Sequence, residues 1–475
     1  MNIKDDFILK DINEGYLVGG MVRDFLMRIN GSKDRDIAIK GAEEFAKRLA
    51  KKLDATFITL DSENKIFRLV LKDKENYLDI SELRGQTIEE DLSQRDFTIN
   101  AVAYDLGEEK FIDVTGGIDD IKNKKLRAIK EENFIDDPLR VLRAFRFAAT
   151  TGFCIDEELS NILKKHKNLL NLPSKERVHD EIMKLFGGKY TAKTLLKMLD
   201  LGILELIFTP VEEIKTIPAN SHHHLDLVHH VIETVRQIEM QYEDSDGEIL
   251  EHLNRIDFGG YPRINHLKLA GFLHDIGKPS TWTIEDTDGR CIWRCSDNTD
   301  YPDDSKYRHR FIKHDLIGAK MVVPMLKELK FSNKQIDYIS EMIRQHIYPS
   351  SVISAPNCDK KVMMRYVRKM GDNVIDNIVL AKADRLSAQG PAVTKEMTEK
   401  NLKGLNKLLE FYLEVKQTLK PLPKLIDGVE IMQILGIKQS PILGEIIKEL
   451  HEAQLNQEIN TKEEAVDFVK NYKSK

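Results

Sequence analysis

The spacing of apolar residues changes once along the chain, near residue 125, and this change limits the folds that are available. Before it, short runs rich in β-branched residues alternate with an amphipathic helical run. After it, apolar residues recur at helical spacing almost to the C-terminus. Such a chain predicts an α+β head, a small twisted sheet with helices, followed by an all-helical body. The predicted strands are YLVGG, DIAIKG, ATFITLD, KIFRLVLKD and NYLDISEL, and the helix is AEEFAKRLAKKLD.

Polar stretches break the helical part of the chain twice. Residues 241–262 and 283–310 are rich in Gly, Asp and Pro, which predicts loops or insertions there. We divide the chain accordingly into a head at 1–125, a helical neck at 126–215, a second helical domain at 216–390 and a C-terminal helical tail at 391–475.

Composition narrows the class of protein. The 475 residues are 41% hydrophobic and 32% charged, as is typical of a soluble globular protein. The chain has no apolar run of membrane-spanning length, and the acidic N-terminus, MNIKDDFILKD, argues against a secretory signal. Four cysteines are too few for a disulfide framework, and Cys291 and Cys295 have no second pair nearby to complete a zinc ribbon. These features predict a protein of the reducing cytoplasm that has no membrane partner.

Charge is distributed unevenly along the chain. The net charge of −6 argues, by itself, against nucleic-acid binding. Residues 121–200, however, contain 17 Lys and Arg against 11 Asp and Glu. Such a basic segment suits an RNA backbone, although a solvated helical surface would show the same excess.

The stretch GGMVRDFLMRINGSKDRD at 19–36 begins with the features of a phosphate site. Gly19 and Gly20 follow a short apolar strand and precede a helix, and in such a turn the backbone N–H groups can approach a phosphate closely. Arg23, in the first turn of that helix, is placed to reach the same phosphate. An ordinary tight turn is the alternative interpretation of the two glycines.

The same stretch ends with Asp34 and Asp36, which are two residues apart. In a strand both project to one face, with Arg35 on the other. Neighbouring carboxylates repel unless a cation lies between them, and Mg²⁺ prefers such oxygen ligands and bridges them to phosphate. Asp79, in LDISEL at the end of a later strand, is a candidate third catalytic carboxylate. A surface aspartate pair without a metal remains the alternative.

The segment QRDFTINAVAYD at 94–105 offers further candidate contacts to a nucleotide. Arg95 is placed to hold a phosphate, and Asn100 to bond a sugar hydroxyl. In the alternative interpretation, Asp96 is simply the cap of a secondary-structure element.

The segment DDPLRVLRAFRFAA at 136–149 repeats charged residues every third position. On a helix, residues three apart follow one side in a slow spiral. A helix cap followed by a first-turn proline, with a solvated arginine stripe behind it, would give the same pattern. The residues concerned are Asp137, Arg140, Arg143 and Arg146.

These motifs occur in a recognisable order. GGMVRD, KDRD, EEDLSQRDFTINAVAYD, DVTGGIDDI and DDPLRVLRAFRFA together resemble the class II tRNA nucleotidyltransferase and bacterial poly(A) polymerase family over about 15–150. The resemblance implies a polymerase-β-like head in which Asp34 and Asp36 hold Mg²⁺. Gln94 departs from the family pattern, which often has a second arginine there. The nucleotide contacts that the resemblance implies are Gly20, Arg23, Arg95, Asp137, Arg140, Arg143 and Arg146.

An aspartate and an arginine side by side have the polarity needed to select a base. A carboxylate only accepts hydrogen bonds and a guanidinium only donates them, so the pair matches cytosine and adenine and rejects uracil and guanine. The resemblance implies that Asp137 and Arg140 select the base. It also implies that Arg143 and Arg146 contact the triphosphate or stack on the base. Glu176 and Arg177 resemble the next family motif, which supports the nucleotide pocket, although a surface ion pair is equally consistent.

The helical body contains a second set of candidate ligands. Their order, H…HD…D with two further histidines, resembles that of HD-domain phosphohydrolases with additional metal ligands. Imidazole and carboxylate together suit Mn, Fe, Ni or Zn, and a divalent metal there would support attack on a phosphoester. A degenerate HD fold that serves as a scaffold or an RNA surface is the alternative. The candidate ligands are His230, His274, Asp275, His314, His346 and Asp384, and His222, His223, His224 and His229 compete with His230 for the first position.

The tail from residue 425 resembles the C-terminal segment of bacterial tRNA nucleotidyltransferases, although it also fits a generic pair of amphipathic helices. The sequence therefore predicts an enzyme that adds C and A to tRNA 3′ ends from CTP and ATP without a template, releasing pyrophosphate. Its rivals are a poly(A) polymerase, a CC-only or A-only enzyme, an HD phosphohydrolase with a nucleotide-binding head, and an RNA-binding scaffold.

Overall fold

A computed structural model of the protein describes residues 3–29, 31, 35–297, 299–302, 306–419, 423–455 and 458–472. It divides into two compact units. The first contains residues 1–213, 256–266 and 323–336, and the second contains 214–255, 267–322 and 337–475. No helix in the described part of the chain is both long and apolar enough to cross a membrane.

The head is built on a mixed sheet, which among the described residues has seven strands. These are β1 (Tyr16–Val18), β2 (Asp36–Ile39), β3 (Thr56–Asp61), β4 (Ile66–Val70), β5 (Tyr77–Glu82), β6 (Val102–Asp105) and β7 (Lys110–Asp113). Their order is β3-β4-β5-β2-β1-β6-β7, and β2 and β5 run parallel while the other neighbours run antiparallel. The five predicted strands are confirmed, and the pairing brings β2 and β5, which are distant in sequence, side by side.

Helices α1 (Gly20–Leu26) and α2 (Ala42–Leu53) pack on one face of this sheet. The apolar side of α2, with Phe45, Ala46 and Leu49 buried, contributes to a core that also includes Leu17, Ile37 and Ile80 of the strands. Burying each large apolar side chain contributes roughly 1.5–3 kcal/mol. The opposite face carries a second, smaller apolar cluster, in which Val18 and Ala38 of the strands are buried with Leu92.

The rest of the first unit is mainly helical, as the sequence predicts. Two short parallel strands, β8 (Lys125–Leu126) and β9 (Cys154–Ile155), pair beside helix α6. The helices are α3 (Ile88–Ser93), α4 (Gly117–Lys122), α5 (Glu132–Asp136), α6 (Arg140–Thr151), α7 (Glu157–His166), α8 (Lys175–Phe186), α9 (Thr191–Asp200), α10 (Leu204–Ile207) and α11 (Val211–Ile214).

The later part of the chain is also helical. Helix α20 is buried along most of its length, including Asp376 and Asn377, because it packs on α12 and α21. The tail has its own small core, which includes Ile431, Ile446 and Leu450. The helices are α12 (Leu227–Glu243), α13 (Gly247–Asn254), α14 (Arg263–Leu273), α15 (Lys278–Thr281), α16 (His314–Glu328), α17 (Asn333–Gln345), α18 (Tyr348–Ile353), α19 (Lys360–Met370), α20 (Val374–Ser387), α21 (Lys395–Val415), α22 (Gly428–Leu435), α23 (Pro441–Leu455) and α24 (Lys462–Lys470).

The loops predicted at 241–262 and 283–310 are partly wrong. The first contains α13, and the second contributes most of a three-stranded sheet of β10 (Trp282–Glu285), β11 (Cys291–Arg294) and β12 (Arg308–Phe311). Alternating apolar residues explain this sheet, since Trp282, Ile284 and Trp293 are buried. The polar residues between the strands made the whole segment resemble a loop in the sequence.

Candidate functional site

A cavity of about 760 Å³ in the first unit collects the predicted nucleotide-site residues that the structure describes. They come from β1, β2, β5, α1, α6 and the segment before β6. Asp34 lies outside the described residues. The predicted residues that line the cavity are Gly19, Gly20, Arg23, Asp36, Asp79, Arg95, Asn100, Asp137, Arg140, Arg143 and Arg146.

The two described carboxylates of the predicted metal site lie on neighbouring strands. Asp36 and Asp79 are register partners in the parallel β2–β5 pair. Gly19 has φ +75°, and a Cβ placed there would approach Asp36 Oδ2 to 3.0 Å, so the turn must be glycine to let the backbone pass the carboxylate. Arg68 of β4 donates to both Asp79 oxygens at 2.7 Å. These oxygen donors fit a divalent cation, with Asp79 already partly neutralised by Arg68.

The Arg35 side chain lies on the face of the strand opposite the Asp36 carboxylate, as the strand spacing predicts. Its guanidinium is 3% exposed and donates to Asp6, with the shortest distance 2.6 Å, from Nη2 to Oδ2. Its backbone carbonyl accepts a hydrogen bond from the Asp79 N–H at 2.9 Å. The start of β2 is therefore held from the N-terminal segment and from β5 together.

Asp96 is the centre of a buried network behind the cavity wall. Its carboxylate accepts hydrogen bonds from the Phe97 N–H at 2.8 Å, from Asn100 Nδ2 at 3.1 Å and from Arg143 Nε at 2.8 Å. Asn100 in turn accepts from Arg23 Nη1 at 2.9 Å. Burial would raise the pKa of Asp96, but the charge of Arg143 and these hydrogen bonds outweigh it and lower that pKa to about 2. Asp96, which the alternative interpretation made a simple cap, thus orients Arg143 directly and Arg23 through Asn100.

Asp96→Asn is expected to destabilise the first unit, and the loss should shrink in acid. Because the folded pKa is about 2 and the ordinary value is 3.8, the carboxylate stabilises the fold above about pH 4, and that contribution, about 2 kcal/mol, disappears as the pH falls through 2. Thermal unfolding of both proteins at pH 7 and pH 3 measures the difference. Glu44→Gln, on an exposed position of α2, is the control, and an equal loss at both pH values would contradict this role for Asp96.

Asp137 and Arg140 both line the cavity, and the Arg140 N–H donates to the Asp137 backbone carbonyl at 3.0 Å, but their side chains bond to other residues. Arg140 donates to the backbone carbonyls of Gln94, at 3.1 Å, and Arg95, at 3.3 Å. The Asp137 carboxylate accepts from Arg177 Nη2 of α8 at 2.9 and 3.2 Å. Helix α6 begins at Arg140, so Asp137 precedes it. Arg177 is an ion-pair partner of a cavity residue rather than an isolated surface charge.

Several residues in and behind the cavity wall were missed by sequence reasoning. Glu181 of α8 is 4% exposed and lies behind the wall, 2.8 Å from Arg146 Nε and 3.7 Å from Arg143 Nη1. Arg84 and Lys184 line the cavity itself. The spacing of Glu181 from Arg177, one helical turn, was the available signal.

A second cluster in the other unit contains the six predicted histidine and aspartate ligands. They form three overlapping groups whose ligand atoms lie within 4.8 Å of one another. Four of the six are at most 2% exposed, the others being His314 and Asp384. The groups are His230, His274 and Asp275; His274, His346 and Asp384; and Asp275, His314 and His346.

The two oxygens of Asp275 face different histidines. Oδ2 lies 3.4 Å from His230 Nε2 and 3.2 Å from His274 Nε2, whereas Oδ1 lies 3.2 Å from His314 Nε2 and 3.8 Å from His346 Nε2. Both oxygens are buried, and neither accepts a well-formed hydrogen bond among the described residues, although Lys278 Nζ lies 2.5 Å from Oδ2. Buried carboxylate oxygens surrounded by ring nitrogens fit a bound cation.

Three imidazoles are oriented for metal binding by the backbone. The Nδ1 atoms of His274, His314 and His346 donate to the carbonyls of Gly271, Phe311 and Ile343 at 2.8, 2.6 and 2.6 Å. Because a carbonyl only accepts, each neutral ring carries its proton on Nδ1 and turns the Nε2 lone pair towards Asp275.

Burial also distinguishes His230 from the neighbouring histidines that could be the first ligand of the cluster. His229 is exposed and bonds to Asp226, whereas His230 is fully buried and lies 3.3 Å from Asp384 Oδ1. His223 packs on His230 with ring centroids 4.7 Å apart, and burial lowers its pKa to about 2. Lys278, which sequence reasoning passed over, lies 2.5 Å from Asp275 Oδ2.

Burial opposes charge on these imidazoles, and nearby carboxylates decide the outcome. Burial lowers the pKa of His346 to about 3. It would also lower the pKa of His274, but Asp275 and Asp384 outweigh it and raise that pKa to about 10. The buried carboxylate of Asp275 and the partly buried one of Asp384 therefore favour positive charge at this position, which agrees with the donor set.

Comparison with known families matches three segments of the chain. Residues 15–127 match a poly A polymerase head domain. Residues 152–215 match a probable RNA and SrmB-binding site of polymerase A. Residues 227–389 match an HD domain.

Individual relatives extend over nearly the whole chain. An A-adding tRNA nucleotidyltransferase of Deinococcus radiodurans is 28% identical over 96% of this chain and 95% of its own. A CC-adding tRNA nucleotidyltransferase of Thermus thermophilus is 28% identical over 98% of this chain and 95% of its own. The crystal structure of the Bacillus stearothermophilus CCA-adding enzyme in complex with CTP is 19% identical, with a TM-score of 0.58 over 99% of this chain and 97% of that one, and shares the fold.

Proposed function

Because this chain belongs to the class II tRNA nucleotidyltransferase and bacterial poly(A) polymerase family with an HD domain, we propose that it completes tRNA 3′ ends. In this proposal it adds C and A from CTP and ATP without a nucleic-acid template and releases pyrophosphate. Its place of action would be the cytoplasm.

The observation that carries the proposal is the cavity of the first unit. A glycine turn, carboxylates on adjacent strands and four arginines of the α6 and 94–100 segments line one space of about 760 Å³. A nucleoside triphosphate needs these same elements together, namely oxygen ligands for its metal and guanidinium groups for its phosphates. If the arginines were only a solvated surface stripe, nothing would require them to share a cavity with the glycine turn and the carboxylates.

The head and the HD domain both imply dependence on divalent metal ions. We assign Mg²⁺ to the head, held by Asp34 and Asp36, with Asp79 as the third carboxylate. When bound, Mg²⁺ supplies positive charge at the reacting phosphate. The chain's own residues do the positioning: Gly19 and Gly20 give the phosphates access to Asp36, and Arg23, Arg95, Arg143 and Arg146 neutralise them.

The reaction then forms one bond and breaks one. The RNA 3′ oxygen bonds to the α-phosphorus of the nucleotide, its proton is lost, and the bond from the α-phosphorus to the bridging oxygen breaks to release pyrophosphate. Asn100, fixed by Asp96, is placed for the sugar. Base choice falls to Asp137 and Arg140, which accept from and donate to the Watson–Crick edge of C or A. Arg177 would hold Asp137 in place.

RNA binding would involve regions outside the cavity. We propose that the head spans 1–125, the neck at 126–215 contacts nucleotide and RNA, the HD domain spans 216–390, and the tail at 391–475 contacts tRNA. The excess of Lys and Arg at 121–200 supports the assignment of the neck. We expect the neck and tail to supply sequence-independent contacts to the tRNA body.

A gel assay tests the proposal directly. Purified protein and Mg²⁺ are incubated with tRNA ending before CCA, after C or after CC, with CTP and ATP given singly and together. Growth to full CCA only when both nucleotides are present supports the proposal. Long A ladders would indicate poly(A) synthesis, and no addition to any substrate would refute transferase activity.

A split activity is the second candidate, because two relatives that span nearly the whole chain are named for adding A and for adding CC. The same gel assay distinguishes a split activity from full CCA addition. Addition that stops after CC, or that occurs only on tRNA ending in CC, would assign this chain to one half of the reaction.

Phosphoester hydrolysis at the HD cluster is a further candidate, favoured by the converging ligand atoms around Asp275 and by the oriented Nε2 atoms. We assign a divalent Mn, Fe, Ni or Zn ion to His230, His274, Asp275, His314, His346 and Asp384. When bound, such an ion supplies Lewis acidity for attack on a phosphoester. Release of phosphate from a chromogenic phosphoester with Mn²⁺ or Ni²⁺, absent in a His274→Ala variant, tests it.

A further inference from the structure

Three guanidinium groups of the cavity share a single aromatic ring. Phe147 of α6 is 3% exposed and lines the cavity. The Arg146 Cζ atom lies 3.8 Å from its ring centroid, that of Arg23 lies 5.3 Å away, and that of Arg143 lies 5.5 Å away. These arginines come from α1 and from two positions of α6, so the ring is the common contact of groups that are remote in sequence.

Each of these arginines also has a carboxylate partner away from the ring. Arg23 pairs with Asp24 at 2.8 Å, Arg143 with Asp96 at 2.6 Å and Arg146 with Glu181 at 2.8 Å. These carboxylates offset the repulsion between the guanidinium groups, but each holds its arginine from a different element. The Phe147 ring is the contact that all three arginines share. An aromatic face attracts cations through its quadrupole and adds no net negative charge, so it gathers the arginines without weakening their attraction for a triphosphate.

We propose that Phe147 is a positioning residue that gathers Arg23, Arg143 and Arg146 into one polyphosphate-binding group. This inference rests on the proposed nucleotide site and names a residue that the reaction itself does not require. Phe147 would act through the arginines, so its effect should follow the number of phosphates on the ligand and should be the same for CTP and ATP.

The chain provides a matched control for this proposal. Phe134 of α5 is fully buried, and both Phe134 and Phe147 pack edge-on against Phe97, with centroids 5.9 and 5.5 Å away. Within the described residues, no guanidinium lies over the Phe134 ring. Phe147→Leu and Phe134→Leu therefore remove comparable core packing, but only the first removes the shared aromatic face.

The experiment uses calorimetry to measure the binding of four ligands, CTP, ATP, CMP and inorganic tripolyphosphate. The proteins compared are the wild type and the variants Phe147→Leu, Phe147→Met, Phe147→Tyr and Phe134→Leu. We expect Phe147→Leu and Phe147→Met to weaken the binding of CTP, ATP and tripolyphosphate by at least about tenfold. The binding of CMP should weaken by less than about threefold. Phe147→Tyr, which keeps the ring, and Phe134→Leu should stay within about threefold of wild type. Circular dichroism and Tm verify that each variant is folded.

Equal losses in Phe147→Leu and Phe134→Leu, or equal losses for CTP and CMP, would overturn the proposal and leave Phe147 as ordinary core. Failure of the proposed function is distinguishable from this result. A wild type that binds CTP but adds nothing to tRNA would refute transferase activity, while the binding comparison would still decide the role of Phe147.

Discussion

Asp36→Ala is expected to lower kcat for nucleotide addition to tRNA by at least about 10³-fold, which corresponds to about 4 kcal/mol in the barrier. Asp36 lies at the start of β2, beside the glycine turn and in register with Asp79. Removal of its carboxylate takes away an oxygen donor for the metal that neutralises the reacting phosphates. Single-turnover addition of labelled CTP to tRNA lacking CCA measures the loss.

Binding and folding should change far less than kcat in this variant. Asn100, Asp96 and Glu181 hold the arginines around Phe147, so the Kd for CTP should remain within about tenfold. Asp34→Ala should match Asp36→Ala. Glu44→Gln, which alters an exposed carboxylate of α2 away from the cavity, should keep full activity. Retained activity in Asp36→Ala would exclude the head as the catalytic centre.

The fold of the head was predictable because its strands are locally consistent. Runs such as DIAIKG and KIFRLVLKD combine β-branched residues with turn residues at their ends, so propensity and pattern agree. The sheet at 282–311 was not predictable in the same way. Its strands are four residues long, and polar segments separate them. Burial of Trp282, Ile284 and Trp293 depends on neighbours that a local window does not contain.

Candidate site residues were predictable where their spacing is local and were missed where it is not. Asp36, Arg140 and Arg143 lie in short motifs, so their chemistry is visible in the sequence. The partners that orient them come from other elements: Asp137 is held by Arg177, 40 residues away. Likewise, Arg143 reaches Asp96 across 47 residues. Such pairs depend on tertiary packing, which one sequence does not specify.

Asp275→Asn is expected to abolish stable metal binding in the HD cluster while leaving tRNA extension intact. Asp275 is 1% exposed, and its two oxygens face different pairs of histidines, so the amide would replace the donor shared by all the surrounding imidazoles. The loss of a buried anionic ligand should weaken divalent metal binding by about 100-fold or more. Metal content after incubation with Mn²⁺ and gel filtration, measured by mass spectrometry, tests this expectation.

His229→Ala is the matched control for this prediction, because His229 lies on the same helix as His230 but is exposed and bonded to Asp226. It should keep the metal content of wild type, whereas His230→Ala should lose metal as Asp275→Asn does. Metal removal should also lower the Tm of wild type more than that of Asp275→Asn, since binding to the folded state stabilises it. Unchanged metal content in Asp275→Asn would refute a metal centre here and favour a structural HD fold, held by the Lys278–Asp275 ion pair rather than by a cation.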